Sequence, residues 1–198
     1  LRLSLLDGAG KNAGTVAQEG GALRLAAVLK DAAERSGYGN DLPEGEGIGL
    51  ACVTAQERST ATWLACAAHV AVDRDTGAVD VKKLTLSIEV GTAVNPDGVR
   101  AQVEGAALWG LSIATLEDVW MENGALSATN YDGITPTRME NLPELDIAVL
   151  ETGQYPVGAG EPAVSVVGPA IANAIARASG ARVRSLPITA DKVKAALG

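Results

Sequence analysis

The stretch Val70-Ala71-Val72-Asp73-Arg74-Asp75-Thr76-Gly77-Ala78-Val79-Asp80-Val81 predicts a β-hairpin. Valines alternate with other residues on both sides of a short polar segment that ends in glycine. Alternation with a period of two is typical of strands, and a polar segment of this kind between two such runs is typical of a hairpin turn. The runs extend over residues 61–73 and 79–90, and residues 48–54 form a third apolar run. We therefore expect a small antiparallel sheet over residues 48–90.

Predicted helices and further hairpins surround this sheet in the sequence. Residues 22–36 carry apolar side chains at three- and four-residue spacing, which predicts an amphipathic helix. The same reasoning predicts these further elements: a helix over 98–113 capped by Asp97, a hairpin over 116–129 turned at Asn123-Gly124, a strand over 145–151, a helix over 163–178 closed by Gly180, a strand over 181–188, and a terminal helix capped by Thr189 or Asp191. Hairpins mixed with helices define the α+β class.

The first 44 residues predict a separate, loosely organised region. Residues 1–6 are expected to finish a helix, residues 7–21 are glycine-rich and predict a flexible loop, and residues 40–47 predict a linker. We therefore divide the chain into residues 1–44, a loop, helix and linker, and residues 45–198, one domain. The apolar start Leu1-Arg2-Leu3-Ser4-Leu5-Leu6 suggests a piece of a longer polypeptide.

The amino-acid composition limits the classes of function that this chain can have. Hydrophobic residues make up 47% and charged residues 20%, which predicts a packed core. The net charge of −8 and the lack of a basic run argue against nucleic-acid binding, and no apolar run is long enough for membrane insertion. One histidine (His69) and two cysteines (Cys52 and Cys66) argue against a histidine-rich metal site and predict structural roles for all three. The expected compartment stays open between cytoplasm and periplasm.

The segment Gly158-Ala159-Gly160-Glu161-Pro162 is the strongest candidate for chemistry. Two glycines predict a tight turn, and Pro162 suits the first position of a helix, which would place Glu161 at the helix cap. A helix N-terminus stabilises a nearby anion, so Glu161 is a candidate proton acceptor. On these residues alone, a glutamate that only stabilises the helix is the commoner alternative. The small residues of 98–113 likewise predict either tight packing or room for a flat ligand.

Several motifs then occur in order over about residues 45–190. They are Glu89-Val90-Gly91, Val94-Asn95-Pro96-Asp97, Arg100-Ala101-Gln102-Val103-Glu104-Gly105, Pro143-Glu144-Leu145, the segment 158–162, residues 169–175 and Arg184-Ser185-Leu186-Pro187-Ile188. As a set they resemble the C-terminal region of the large, molybdenum-cofactor subunit of the xanthine dehydrogenase and aldehyde oxidoreductase family. The resemblance is strongest to the isoquinoline 1-oxidoreductase beta-subunit branch.

The resemblance implies roles for particular residues. Glu161 would be the catalytic base that acts on the hydroxyl held by molybdenum, with water as the oxygen source and an aldehyde or N-heteroaromatic compound as substrate. Gln102 would contact the pterin of the cofactor through its amide, which offers both a donor and an acceptor. Gly158, Ala159 and Gly160 would bring backbone N–H groups near the metal, and Gly105 would make room beside the cofactor. The chain itself would supply no direct metal ligand.

The resemblance also implies cofactors and partners. The cofactor would be a molybdopterin, with the cytosine dinucleotide form as one option, shared with the remaining part of the molybdenum subunit on another polypeptide. A [2Fe–2S] cluster would lie on a partner chain, because a cluster takes four cysteine ligands and this chain has two. A flavin or cytochrome subunit is a further candidate electron acceptor. The alternative hypothesis is a non-catalytic structural or assembly module that keeps the fold and binds no cofactor.

Overall fold

The computed structural model describes residues 1–6, 21–57 and 60–198. The described elements are, in chain order, α1 (Arg2–Leu6), α2 (Gly21–Arg35), β1 (Glu46–Glu57), β2 (Thr60–Val72), β3 (Val79–Glu89), α3 (Pro96–Thr115), β4 (Met121–Glu122), β5 (Ala125–Leu126), β6 (Glu144–Leu150), α4 (Val164–Ser179) and α5 (Ala190–Leu197), with short 3₁₀ turns at Tyr131–Gly133 and Met139–Asn141. The α+β class predicted from the sequence is confirmed.

A four-stranded sheet in the order β1-β2-β3-β6 forms the middle layer. β1, β2 and β3 are antiparallel, as predicted, and the turn between β2 and β3 is closed by Gly77 N–H, which donates to Asp73 O at 2.8 Å. β6 pairs with β3 in parallel, so the sheet is mixed and the prediction of antiparallel sheets alone was wrong. The long connection through α3 lets the chain return in the same direction, which a short hairpin turn cannot do.

Helix α2 covers one face of the sheet. Val28, Leu29 and Ala32 form its buried stripe and pack against Trp63 and Ala65 of β2. Their spacing of one and three residues matches the amphipathic pattern that predicted this helix. The predicted loop over 7–21 lies outside the described residues, except that Gly21 begins α2.

Helices α3 and α4 cover the opposite face. Leu64, Leu84, Leu86 and Ile88 point into this core, where they pack with the apolar residues of α4. β1 approaches α4 very closely, since a Cβ built on Gly49 would lie 2.1 Å from Ala174 N. Gly110 gives α3 a similar contact, because its Cβ would lie 2.8 Å from Val164 O at the start of α4. Tight packing, one of the two alternatives for the small residues of α3, therefore accounts for Gly110.

Three predictions about local structure were wrong. Asn95 rather than Asp97 caps α3, since its side chain accepts a hydrogen bond from Gly98 N at 3.0 Å. Pro96 occupies the first helical turn, where its missing N–H costs nothing, so the cap falls on the residue before it. Residues 181–188 form no strand, and Ile188 N–H instead donates to Ala114 O at the end of α3. In the hairpin turned at Asn123-Gly124 the strands are only two residues long.

The remaining helix and strand predictions are confirmed to within a few residues. Gly180 ends α4 with a φ of 86°, and Thr189 caps α5. Among the residues that the structure describes, no helix is both long enough and apolar enough to cross a bilayer. The division of the chain at residue 44 stays a prediction.

Candidate active site

A cleft opens where β3 ends, between the start of α3 and the connection from β6 to α4. Its volume is about 360 Å³. One wall is the segment from Val90 to Asn95, and the other is the segment from Pro156 to Gly160. Gln102 reaches the cleft from α3, one turn after Gly98 and Val99. The cleft therefore brings together two stretches that are far apart in the sequence.

Most of the predicted site residues meet at this cleft. Gln102, Ala159 and Gly160 line it, and Gly158 and Glu161 flank the two lining residues in the chain. Thr62 of β2 fixes the turn, because its hydroxyl donates to Gly158 O at 2.5 Å. Glu161 is exposed at the surface beside the cleft, where a ligand could reach its carboxylate.

Gly105 is the predicted site residue that the structure places elsewhere. It lies one turn beyond Gln102 on α3 and is not part of the cleft lining. A Cβ added there would meet no atom within 4 Å, so Gly105 faces open space. No described residue fills the space beside Gly105, so a group from outside the described residues has room there.

The predicted helix start at Pro162 was two residues too early. α4 begins at Val164, and no side chain caps it. Val164 N–H donates to Glu161 O and Ser165 N–H donates to Pro162 O, each three residues back, so a tight turn precedes the helix. Glu161 is therefore a residue of this turn and not the helix cap. The predicted capping position, from which we expected the helix N-terminus to stabilise its charge, was wrong.

The sequence interpretation missed the residues that hold the two walls of the cleft together. Glu89, at the end of β3, is fully buried, and its carboxylate accepts hydrogen bonds from Gly91 N–H and the Thr152 hydroxyl, both at 2.6 Å. Arg24 of α2 forms an ion pair with the same carboxylate. A signal for Glu89 exists in the sequence, because it is a charged residue that ends an apolar alternating strand. No comparable signal marks Arg24 or Thr152.

The charges at the opposite end of the sheet are arranged differently. Glu46 binds Lys82 at 2.5 Å and His69 Nε2 at 2.7 Å, and the Lys82 ammonium is the main reason that the pKa of Glu46 is lowered. This contact gives His69 the structural role that was predicted for it, since it joins β1 to β2. Burial raises the pKa of the Cys66 thiol to about 12, which makes that cysteine a poor nucleophile and metal ligand at neutral pH.

The chemistry of the cleft fits one side of a pterin cofactor. Gln102 offers an amide donor and acceptor, the Ala159-Gly160 backbone lies opposite, and Val94, Val99 and Val157 add apolar surface. Within residues 1–6, 21–57 and 60–198, no cluster of three or more histidine, cysteine or acidic side chains could hold a metal ion directly.

Comparison with known proteins establishes the class of this chain. Residues 15–143 match the model of the molybdopterin cofactor-binding domain, which is more than half of the chain. The chain therefore belongs to the family of molybdopterin cofactor-binding domains found in molybdenum hydroxylases. The family resemblance inferred from the ordered motifs is confirmed.

Individual relatives give the same result. The chain is 47% identical over 189 residues to a membrane-bound aldehyde dehydrogenase (pyrroloquinoline-quinone) of Gluconacetobacter polyoxogenes, covering 94% of this chain and 24% of that protein. It is 33% identical over 165 residues to the isoquinoline 1-oxidoreductase subunit beta of Brevundimonas diminuta, covering 83% of this chain and 21% of that subunit. The solved aldehyde oxidoreductase from Desulfovibrio gigas superposes with a TM-score of 0.62 at 28% identity, covering 70% of this chain and 16% of that one. The chain thus spans about a quarter or less of the length of these relatives.

Proposed function

We propose that this chain forms the base-bearing, cofactor-facing part of a molybdenum hydroxylase that oxidises an aldehyde or an N-heteroaromatic compound. The observation that carries the proposal is a cleft lined by Gln102, Ala159 and Gly160, with Glu161 next in the chain after Gly160. The names of two relatives, an aldehyde dehydrogenase and an isoquinoline oxidoreductase, support these two substrate classes. The cytosine dinucleotide form of the cofactor, the [2Fe–2S] partner chain and a flavin or cytochrome acceptor belong to the same proposal.

In this proposal each residue at the cleft has a separate role. The Gln102 amide binds the edge of the pterin, and the backbone of Ala159-Gly160 closes the opposite side. When bound, the molybdenum cofactor supplies a two-electron oxidation centre whose oxygen is replenished from water. A carboxylate Oε of Glu161 accepts the proton released in that reaction. Because its turn is anchored through Thr62 on β2, Glu161 keeps a fixed position beside the cleft.

The alternative, a structural or assembly module without cofactor, is less well supported. Such a module has no need of an amide on the cleft and a carboxylate beside it. The two hypotheses differ in a measurable way, because a module of this kind would assemble normally and lose nothing when Glu161 or Gln102 is replaced.

Replacing Glu161 by glutamine tests the proposal. The Glu161→Gln change keeps the size of the side chain and removes the proton acceptor, so we expect kcat to fall by at least about 100-fold at unchanged molybdenum content. Glu122→Gln, on the exposed β4–β5 hairpin, is the matched control and should leave kcat unchanged. Turnover per bound molybdenum is the quantity to measure, in the assembled protein that carries this chain. Near-normal turnover of loaded Glu161→Gln protein would contradict the assignment of the base.

A further inference from the structure

Glu89 carries a buried carboxylate that the proposed chemistry does not use. Its side chain is 0% exposed and lies between the sheet and α2. It accepts hydrogen bonds from Gly91 N–H and from the Thr152 hydroxyl through Oε1, and from Arg24 Nε–H through Oε2. One buried carboxylate thus connects the end of β3, the connection after β6 and helix α2.

Arg24, the other member of the ion pair, is also buried. Its residue is 7% exposed, and its guanidinium stacks on the ring of Trp63 with 3.8 Å between the guanidinium carbon and the ring centroid. Removing two charges from water is costly, and a buried ion pair is often no more stabilising than an apolar pair of similar size. Stability alone is therefore a weak explanation for this pair, and its position relative to the cleft gives a better one.

Through Gly91 and Thr152, Glu89 connects the first wall of the cleft to the segment that leads into the second wall. Beside the carboxylate they are joined by backbone hydrogen bonds, from Thr92 N–H to Gln154 O at 2.9 Å and from Val157 N–H to Val90 O at 3.0 Å. Gly91 makes this approach possible, because its φ is +76° and a Cβ there would lie 2.2 Å from Tyr155 O. The distance between the walls is thus set within a few residues of Glu89.

We propose that Arg24 and Glu89 are positioning residues, which fix the walls of the cleft and so hold the turn Gly158–Glu161 in place relative to Gln102. Neither residue touches the reacting atoms; Glu89 acts through Gly91 and Thr152, and Arg24 acts through Glu89. Helix α2 is thereby coupled to the geometry of the site. The effect on catalysis rests on the proposed function, whereas the claim about structure concerns only the two walls.

Hydrogen exchange tests that structural claim without any turnover. In Glu89→Gln the charge is lost and one acceptor oxygen becomes an amide donor, so either Arg24 or the pair Gly91 and Thr152 loses its acceptor. We therefore expect amides of residues 90–95 and 151–158 to exchange about tenfold faster in the assembled protein. Exchange within α4 should not change. The matched control is Arg35→Met, which removes another cation of α2, bound to Asp146 at 2.5 Å, and leaves the cleft contacts intact.

Two further variants keep the test decisive if Glu89→Gln folds poorly. Thr152→Val removes one donor and preserves the Arg24–Glu89 pair, so exchange should rise in residues 151–158 and less in residues 90–95. Glu89→Asp keeps the charge and should restore much of the protection. Unchanged exchange in both Glu89→Gln and Thr152→Val, or an equal rise in Arg35→Met, would overturn the proposal.

Kinetics separates a positioning role from a general loss of stability. At equal molybdenum content, Glu89→Gln should lower kcat about tenfold with little change in KM, and the pH at which kcat is half-maximal should stay the same because Glu161 is still the base. Glu89→Asp should recover part of kcat.

If exchange rises as expected while Glu161→Gln retains turnover, the proposed function fails and the structural claim about the walls stands. If kcat per molybdenum stays normal while exchange rises, the catalytic consequence is overturned.

Discussion

The two ends of the central sheet are built on opposite principles. At the end where β3 stops, a fully buried ion pair and a left-handed glycine hold two irregular segments around a cleft. At the other end, an exposed polar turn connects β2 to β3, and the charged pairs Glu46–Lys82 and Lys83–Glu144 lie near the surface. Burying polar groups away from water costs free energy. Their concentration at the end of β3 therefore indicates that this end of the sheet fixes the geometry of the cleft rather than adding stability.

The largest expected effect in this comparison comes from Gly91 at the cleft end. In Gly91→Ala the new Cβ would collide with Tyr155 O, so we expect a loss of about 3 kcal/mol in the free energy of unfolding, measured by denaturant titration. Gly124→Ala is the control, because Gly124 also has positive φ but no neighbour within 4 Å; it should cost only about 1 kcal/mol. Equal losses for the two variants would mean that the close approach at Gly91 contributes nothing.

A smaller effect is expected at Gln102, where binding rather than folding should change. Gln102→Ala removes the amide from an exposed position on α3, so stability should be unchanged and cofactor occupancy about tenfold lower, the effect of losing roughly one good hydrogen bond. Pterin released from the purified protein gives the occupancy. Gln102→Glu retains the size of the side chain and loses the amide donor, so an occupancy as low as that of the alanine variant would assign the contact to the donor. Normal pterin content in both variants would remove Gln102 from the site.

At the turn end we expect a modest change in stability alone. The Asp73 carboxylate accepts hydrogen bonds from Thr76 N–H and Asp75 N–H, and these contacts hold the pKa of Asp73 below its ordinary value of 3.8. A lowered pKa in the folded state stabilises the fold above pH 3.8, and the contribution disappears as pH falls through the folded-state pKa. Asp73→Asn should therefore have a lower melting temperature at pH 7, and the difference should shrink toward pH 3. Turnover should be unaffected, and a loss of turnover would break the contrast between the two ends.

The smallest effect is expected between the two ends, at Cys66 in the middle of β2. With its pKa raised to about 12 by burial, the thiol should not react with iodoacetamide at pH 8 while the protein is folded. Mass spectrometry after digestion would locate any adduct, and denatured protein gives the positive control. A Cys66 adduct in folded protein would show that the sheet opens more readily than its packing indicates.

The same contrast explains how much the sequence could predict. The β2–β3 hairpin and α2 were predicted correctly because a regular alternation or a three-to-four spacing is a local signal of burial. The turn at Asn123-Gly124 was also predicted, because these residue types favour a tight turn. β4 and β5 are nevertheless only two exposed residues each, because longer strands need side chains that become buried. The strand predicted over 181–188 is absent for a different reason: Pro187 has no N–H for a strand ladder, and Ile188 N–H donates to Ala114 O at the end of α3 instead.

The site shows the limit of such reasoning more sharply. Gln102 and the segment Gly158–Glu161 came from ordered motifs, and the structure brings Gln102, Ala159 and Gly160 to one cleft, with Gly158 and Glu161 on either side of the last two in the chain. Arg24 and Thr152 could not be found, because each looks like an ordinary residue of a helix or loop until the fold places it against Glu89. The helix start after Glu161 was misplaced by two residues, since the choice between a tight turn and a first helical turn depends on packing that Pro162 alone does not determine.

The measurement that tests the central claim most directly is the molybdenum and pterin content of the assembled protein that carries this chain, together with its native mass. We expect close to one molybdenum and one molybdopterin per copy of the chain, in a species larger than the 20.1 kDa of these residues. A folded, fully assembled protein that contains no molybdenum would contradict the account, and pyrroloquinoline quinone in its place would assign the cleft to a different cofactor.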